Sequence, residues 1–195
     1  MEIREYKSKD EQGWLRCRVL SFLDTAYYDN VLREKEVYEN PAIELVAVED
    51  GNVVGLIDIE YEVEERTVCS RGSGLGGMIW HIAVHPDYRR KGIGTLLLDK
   101  AEQLAREKNL NRFEAWTRDD EWVNIWYEKS GFRKVDSYLH VFMEGDEELK
   151  GHLKSEVPHL YPILAFAHYV GEDTETINSK FSRVHECRCY EKKLR

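Results

Sequence analysis

Val84-His85-Pro86-Asp87-Tyr88-Arg89-Arg90-Lys91-Gly92-Ile93-Gly94 is the stretch on which the reading of this chain turns. Met78 to Val84, just before and into it, is apolar enough for a central strand. After it, Leu97, Ala101, Leu104 and Ala105 recur at helical spacing, and Asp99, Lys100, Glu102, Gln103, Arg106 and Glu107 fill the rest of the turns. A strand that passes through a glycine turn into a helix leaves the first helical amides without carbonyl partners, and glycines let an anion approach them closely. A bare glycine pair is explained by a tight turn with a solvated basic rim. The order strand, Arg-x-x-Gly-x-Gly, amphipathic helix favours a diphosphate cradle instead. Neither a GxxxxGK[ST] P-loop nor a complete GxGxxG fingerprint occurs in this region.

Working outward, Glu2 to Tyr6 reads as a short edge strand and Glu11 to Leu23 as a helix carrying Trp14, Leu15, Val19, Phe22 and Leu23 on its apolar positions. A second short helix is expected over Asn30 to Tyr38. Ile43 to Val48 and Val53 to Tyr61, joined by Asp50-Gly51-Asn52, read as an antiparallel hairpin, and Arg71 to Gly77 as a flexible glycine-rich loop. Beyond the central helix come a strand at Arg112 to Thr117, a helix at Trp122 to Lys129 stopped by Gly131, and a strand at Val135 to Met143. Glu144 to about Phe181 reads as an insertion before a last strand, Val184 to Tyr190. No repeat or linker divides the 195 residues, which are expected to form one domain.

The bulk composition excludes several classes. A net charge of −9 disfavours nucleic acid as a partner, and makes the basic triplet Arg89-Arg90-Lys91 stand out as a site for a specific anion. The N-terminal residues lack the features of a secretory signal, and the longest apolar-rich segment, Leu160 to Val170, is broken by Pro162 and His168. The expectation is a cytoplasmic protein without a membrane span. Cys17, Cys69, Cys187 and Cys189 fit neither a disulfide framework nor a zinc site, so reduced thiols and no metal are expected.

The glycine turn resembles that of the GNAT (GCN5-related N-acetyltransferase) family, and Trp126-Tyr127-Glu128-Lys129-Ser130-Gly131-Phe132 is a second, independent match. The resemblance covers about residues 1 to 143 and the final strand. It implies an α/β fold with a mixed, mostly antiparallel central sheet splayed at its middle and flanked by helices. It further implies acetyl-CoA as cosubstrate, its pantetheine arm beside Ile82, Ala83 and Val84, and its pyrophosphate on the turn formed by Arg89, Arg90, Lys91, Gly92, Ile93 and Gly94. Tyr127 would then give a proton to the departing CoA thiolate.

Where the family often has asparagine, seven positions before that tyrosine, this chain has Asp120. It is a candidate contact to the cofactor arm, or the N-cap of the helix that follows. His81 is the candidate base, with Glu60 and Glu62 as comparable carboxylates. Trp14, Tyr27 and Tyr28 are candidates to line the acceptor side, Trp14 more readily as core. The insertion is read as a lid over the acceptor or a dimer contact. The implied activity is direct transfer of an acetyl group to a primary amine. An acyl-CoA-binding module without chemistry is the alternative, and a homodimer is compatible with the exposed strand edges.

Overall fold

The computed structural model describes residues 1–194. Its strands are β1 (Glu2–Glu5), β2 (Ala42–Glu49), β3 (Asn52–Tyr61), β4 (Gly76–Val84), β5 (Arg112–Thr117), β6 (Arg133–Glu144), β7 (Leu164–Tyr169) and β8 (Arg183–Lys193). The helices are α1 (Glu11–Phe22), α2 (Ile93–Glu107), α3 (Glu121–Lys129), α4 (Gly145–Leu149) and α5 (Thr174–Lys180). All eight strands form one sheet in the order β1-β2-β3-β4-β5-β8-β6-β7. Every pairing is antiparallel except β4 with β5.

That parallel pair is also where the sheet opens. It runs only from Gly76 opposite Arg112 to Ile79 opposite Ala115, while β4 continues to Val84. The register with β3 jumps from Asp58–His81 to Ile59–Ile79, so Trp80 is an extra residue in β4 at the point where the strands part. Helices cover both faces. Ile93, Leu97, Leu98, Ala101 and Ala105 of α2 pack on Leu45, Ile57, Ile59, Phe113 and Ala115, whereas Trp14 and Cys17 of α1 pack on Val46, Leu56 and Ala83. Gly55 lets α2 come close, since a Cβ there would lie 2.8 Å from Ile93 Cγ2.

Three expectations need correction. Asn30 to Tyr38 forms no helix. Val31 and Val37 are 60% and 95% exposed, and its polar groups are drawn into tertiary bonds: Arg18 Nη1 donates to Asn30 O (2.8 Å) and Lys35 N–H to Glu11 Oε1 (3.2 Å). Gly76 and Gly77 belong to β4 rather than to the loop before it. That loop is stapled by two buried carboxylates. Glu62 accepts from the amides of Arg66 (2.8 Å), Cys69 (3.0 Å) and Gly76 (2.8 Å), and Glu114 from those of Ser70 (3.2 Å) and Arg71 (2.9 Å).

The insertion is likewise structured. It contributes α4, the sheet's outermost strand β7, and α5, whose Asp173 side chain accepts from Thr176 N–H at 3.0 Å. Glu148 accepts from the amides of Glu144 (2.9 Å) and Ser182 (2.7 Å), which ties α4 to the start of β8. All four cysteines are free and buried. Among the described residues no helix is long and apolar enough to cross a membrane.

Candidate active site

After β4 the chain makes a 3₁₀ turn at Pro86–Tyr88, and His85 Nδ1 accepts from Asp87 N–H at 3.3 Å. Arg90 (φ 60°) and Gly92 (φ 79°) then take left-handed backbone conformations. Nothing crowds a Cβ at Gly92, so it is the dihedral that favours glycine there. The first bond of α2 runs from Leu96 N–H to Gly92 O (3.0 Å), leaving the amides of Ile93, Gly94 and Thr95 ahead of the helical ladder. A Cβ on Gly94 would sit 3.6 Å from the Trp126 indole, an ordinary contact that larger side chains would exceed.

The three basic side chains of the turn do different things. Arg89 reaches sideways, with Nη1 3.0 Å from Asp24 Oδ2, Nη2 donating to Ser21 O at 2.9 Å, and its guanidinium over Trp122. It fastens the turn to the end of α1. Lys91 Nζ lies over the Tyr88 ring at 4.6 Å. The Arg90 side chain has no hydrogen bond, ion pair or ring contact among the described residues.

Ile82 and Val84 turn their side chains toward the α2 core and Ala83 toward α1. Their strand is bonded on one side to β3, Ile82 opposite Ile57 and Val84 opposite Gly55, and beyond Ile79 it has no β5 partner on the other. The open edge therefore leads straight to the free amides of the turn.

On the far side of the gap, Tyr127 of α3 is 4% exposed, its ring stacked on Tyr190 (5.2 Å, 10°) and edge-on to Phe132 and Trp126 (5.1 Å each). Burial, then the neighbouring Tyr27 and Tyr190 hydroxyls, pushes its pKa well above the ordinary phenol range, so it is protonated at neutral pH. No described residue takes its hydroxyl hydrogen bond.

Asp120 is committed elsewhere. Its two oxygens accept from Ala26 N–H (3.0 and 3.1 Å), it makes no side-chain cap to α3, and burial raises its pKa against the opposing pull of that amide. Asn124 is saturated as well, donating to Arg118 O and Asp120 O (2.8 Å each) while the Tyr190 hydroxyl lies 2.9 Å from its Oδ1. Both residues build the bend that carries Tyr127.

The α1 face of β3 and β4 holds a buried polar cluster. His81 Nδ1 accepts from Arg18 Nε (3.3 Å) and its Nε2 meets Glu36 Oε2, so both ring nitrogens are engaged. Opposite it, fully buried Asp58 receives Trp14 Nε1 (3.4 Å), the Tyr38 hydroxyl (3.0 Å) and Lys35 Nζ (2.9 Å). Burial raises the Asp58 pKa, with Lys35 opposing. The hydrogen bond from His81 is the main cause that holds Glu36 below the usual carboxylate range.

Glu36 is half-exposed and lines a cavity of about 340 Å³ together with Tyr38, Glu39, Glu60 and Trp80. Glu60 accepts from Asn40 (2.9 Å) and Trp80 Nε1 (2.8 Å), whereas Glu62 faces away and serves the loop. Of the acceptor-side aromatics, Trp14 is core. Tyr27 is half-buried with its hydroxyl accepting from Arg118 N–H at 3.1 Å, and Tyr28 is 50% exposed.

Sequence reasoning missed Glu36, Arg18, Lys35 and Asp58. Only Asp58 carried a local signal, as a charge inside the apolar run Val53 to Tyr61.

A mixed sheet that opens beside its one parallel pair, with a glycine turn and helix N-terminus at the open end, defines the acyl-CoA N-acyltransferase architecture. Residues 6–132 match the acetyltransferase (GNAT) family model, and the chain belongs to that family. An acetyltransferase of Sodalis glossinidius (strain morsitans) is 29% identical over 144 residues, covering 71% of this chain and 92% of that protein. Among solved structures, a GNAT acetyltransferase of Streptococcus pneumoniae superposes with a TM-score of 0.61 at 16% identity, covering 100% of this chain and 99% of that one. An N-acetyltransferase of Thermoplasma acidophilum solved with coenzyme A gives 0.53 at 17% identity, over 69% of this chain and 91% of that one. The chain is thus an acetyltransferase of a family that uses acetyl-CoA.

Proposed function

We propose that this protein moves the acetyl group of acetyl-CoA directly to a primary amine, without a covalent enzyme intermediate. The observation that carries the reading is the unpaired edge of β4 beyond Ile79, which runs into the free amides of Ile93, Gly94 and Thr95 and faces the Tyr127 side of the gap. Ile82, Ala83 and Val84 offer backbone groups to the pantetheine arm. The turn from Arg89 to Gly94 holds the pyrophosphate, with Arg89 fixing its shape and Arg90 and Lys91 supplying charge. Asp120 acts at one remove, by shaping the bend before α3.

In the reaction the amine nitrogen attacks the thioester carbon, the C–S bond breaks, and the CoA sulfur takes the Tyr127 proton. The amine arrives as an ammonium beside Glu36, whose carboxylate stays ionised. The ammonium passes one proton to bulk water through the open cavity, the proton shed by the nitrogen on acylation replaces the one Tyr127 gave up, and His81, itself held by Arg18, keeps the Glu36 carboxylate in place. The cavity wall of Glu36, Glu39, Glu60 and the Trp80 indole suits a cationic acceptor.

Calorimetric titration of acetyl-CoA, paired with release of free thiol in the presence of an amine panel, tests this reading. Saturable binding with thiol release that Tyr127→Phe suppresses is expected. Binding without release for every amine would make the chain an acyl-CoA sensor, and no binding by folded protein would overturn the cofactor site.

A further inference from the structure

β7 is the outermost strand of the sheet, and its far edge has no neighbour among the described residues. Such an edge offers a row of unpaired N–H and C=O groups, and chains that stay monomeric blunt it with charge, proline or a covering segment. Here Leu164-Ala165-Phe166-Ala167-His168-Tyr169 contains no Lys, Arg, Asp, Glu or Pro, in a chain that is 33% charged. Its apolar side chains stand in the open. Phe166 is 63% exposed, Leu164 58% and Ile163 78%, and Tyr161 and Val170 extend the patch at 76% and 84%. At about 100 Å² for each large side chain the patch offers on the order of 500 Å² of apolar surface per copy. With six residues of backbone pairing added, this approaches the roughly 800 Å² per partner of a standard interface.

We infer that β7 pairs antiparallel with β7 of a second copy, joining two eight-stranded sheets across a two-fold axis. The sequence of the strand selects a copy of itself over an unrelated strand. Centring the axis on Phe166 sets that ring against its own counterpart, Ala165 against Ala167, and Leu164 against His168. Aromatic then meets aromatic, small meets small, and no like charges oppose each other. The register with β6 already fixes which face each residue presents: Phe166 lies beside Phe142 and His168 beside His140. Ala165 and Ala167 lie on the other face with Tyr169, which packs against the cluster of Leu139, Val141 and Phe181.

Sedimentation equilibrium over a concentration series tests the inference apart from the chemistry. Wild-type protein is expected at twice the 23.0 kDa of one chain. Phe166→Asp, at an exposed position, is expected to weaken association about 100-fold or more. Phe166→Tyr should retain it, and acetyl-CoA binding should be unchanged in both variants. A monomer at every concentration, or a dimer that persists in Phe166→Asp and in Leu164→Lys, overturns the inference. Loss of acetyl-CoA binding in wild-type protein would instead count against the proposed function and leave the dimer measurement standing.

Discussion

The two faces of β3 and β4 are built from opposite materials. Toward α2 they present Ile57, Ile59, Ile79 and Ile82 to the helix's Ile93, Leu97, Leu98 and Ala101, while toward α1 the same strands present Asp58 and His81 to Trp14, Arg18, Lys35 and Glu36. Packing alone holds the first face, and it can be tight because Gly55 lets the helix down onto the sheet. The second depends on every buried charge finding its partner, since an uncompensated one is costly. One surface sets the shape of the gap, and the other puts ionisable groups beside it.

The sharpest way to break this contrast is Asp58→Ala, which leaves Lys35, itself 5% exposed, with Glu44 as its one remaining carboxylate partner among the described residues. A loss of about 3 kcal/mol is expected by urea denaturation, close to the ~3–5 kcal/mol seen when one partner of a buried pair is removed. On the apolar face Leu97→Ala, at a fully buried position, should cost about 3 kcal/mol through lost burial and the cavity left behind. The two variants should differ in salt and pH response, with only Asp58→Ala sensitive to either. Equal sensitivity would erase the distinction.

Tyr127→Phe keeps the ring stacked on Tyr190 and should leave stability within about 0.5 kcal/mol. Thiol release should fall on the order of 100-fold with acetyl-CoA affinity unchanged. A matching fall in affinity would make the hydroxyl a binding group. The smallest effect concerns pH. The folded pKa of Glu36 lies below its unfolded value of about 4.3, so its contribution to stability is complete above that value. It is lost as pH falls through the depressed folded value. Acid titrations of wild-type and Glu36→Gln protein should therefore converge at low pH and separate above it, and parallel curves would dismiss the His81 contact as a source of stability.

The apolar half of this contrast was legible in the sequence, and the polar half was not. The α2 periodicity, the hairpin of β2 and β3 and the glycine turn all follow from local spacing, because each residue's partner lies within a few positions or on the next strand. The cluster around His81 joins residues 18, 36, 58 and 81, brought together by an irregular segment whose conformation is set only by what it touches. The same lack of a local signal explains why Asn30 to Tyr38 reads as a helix and is not one. It also explains why Glu60 and Glu62, equivalent in the sequence, part company, one facing the cavity and the other stapling a loop. β7 was hidden because its pairing partner, β6, lies 20 residues upstream across a polar stretch.

Among the described residues, four ladder pairs join β1–β4 to the other four strands, and they form the sheet's parallel ladder. Mechanically the molecule is two plates joined at a short seam, with the gap widening away from it. Tension across that seam would open its pairs from the end at Ile79 and Ala115, so amide exchange there should outrun exchange in β2 and β3. A ligand lodged in the gap touches both plates and acts as a clamp. Its arrival should slow exchange on either side of the seam together, including at amides that it never contacts.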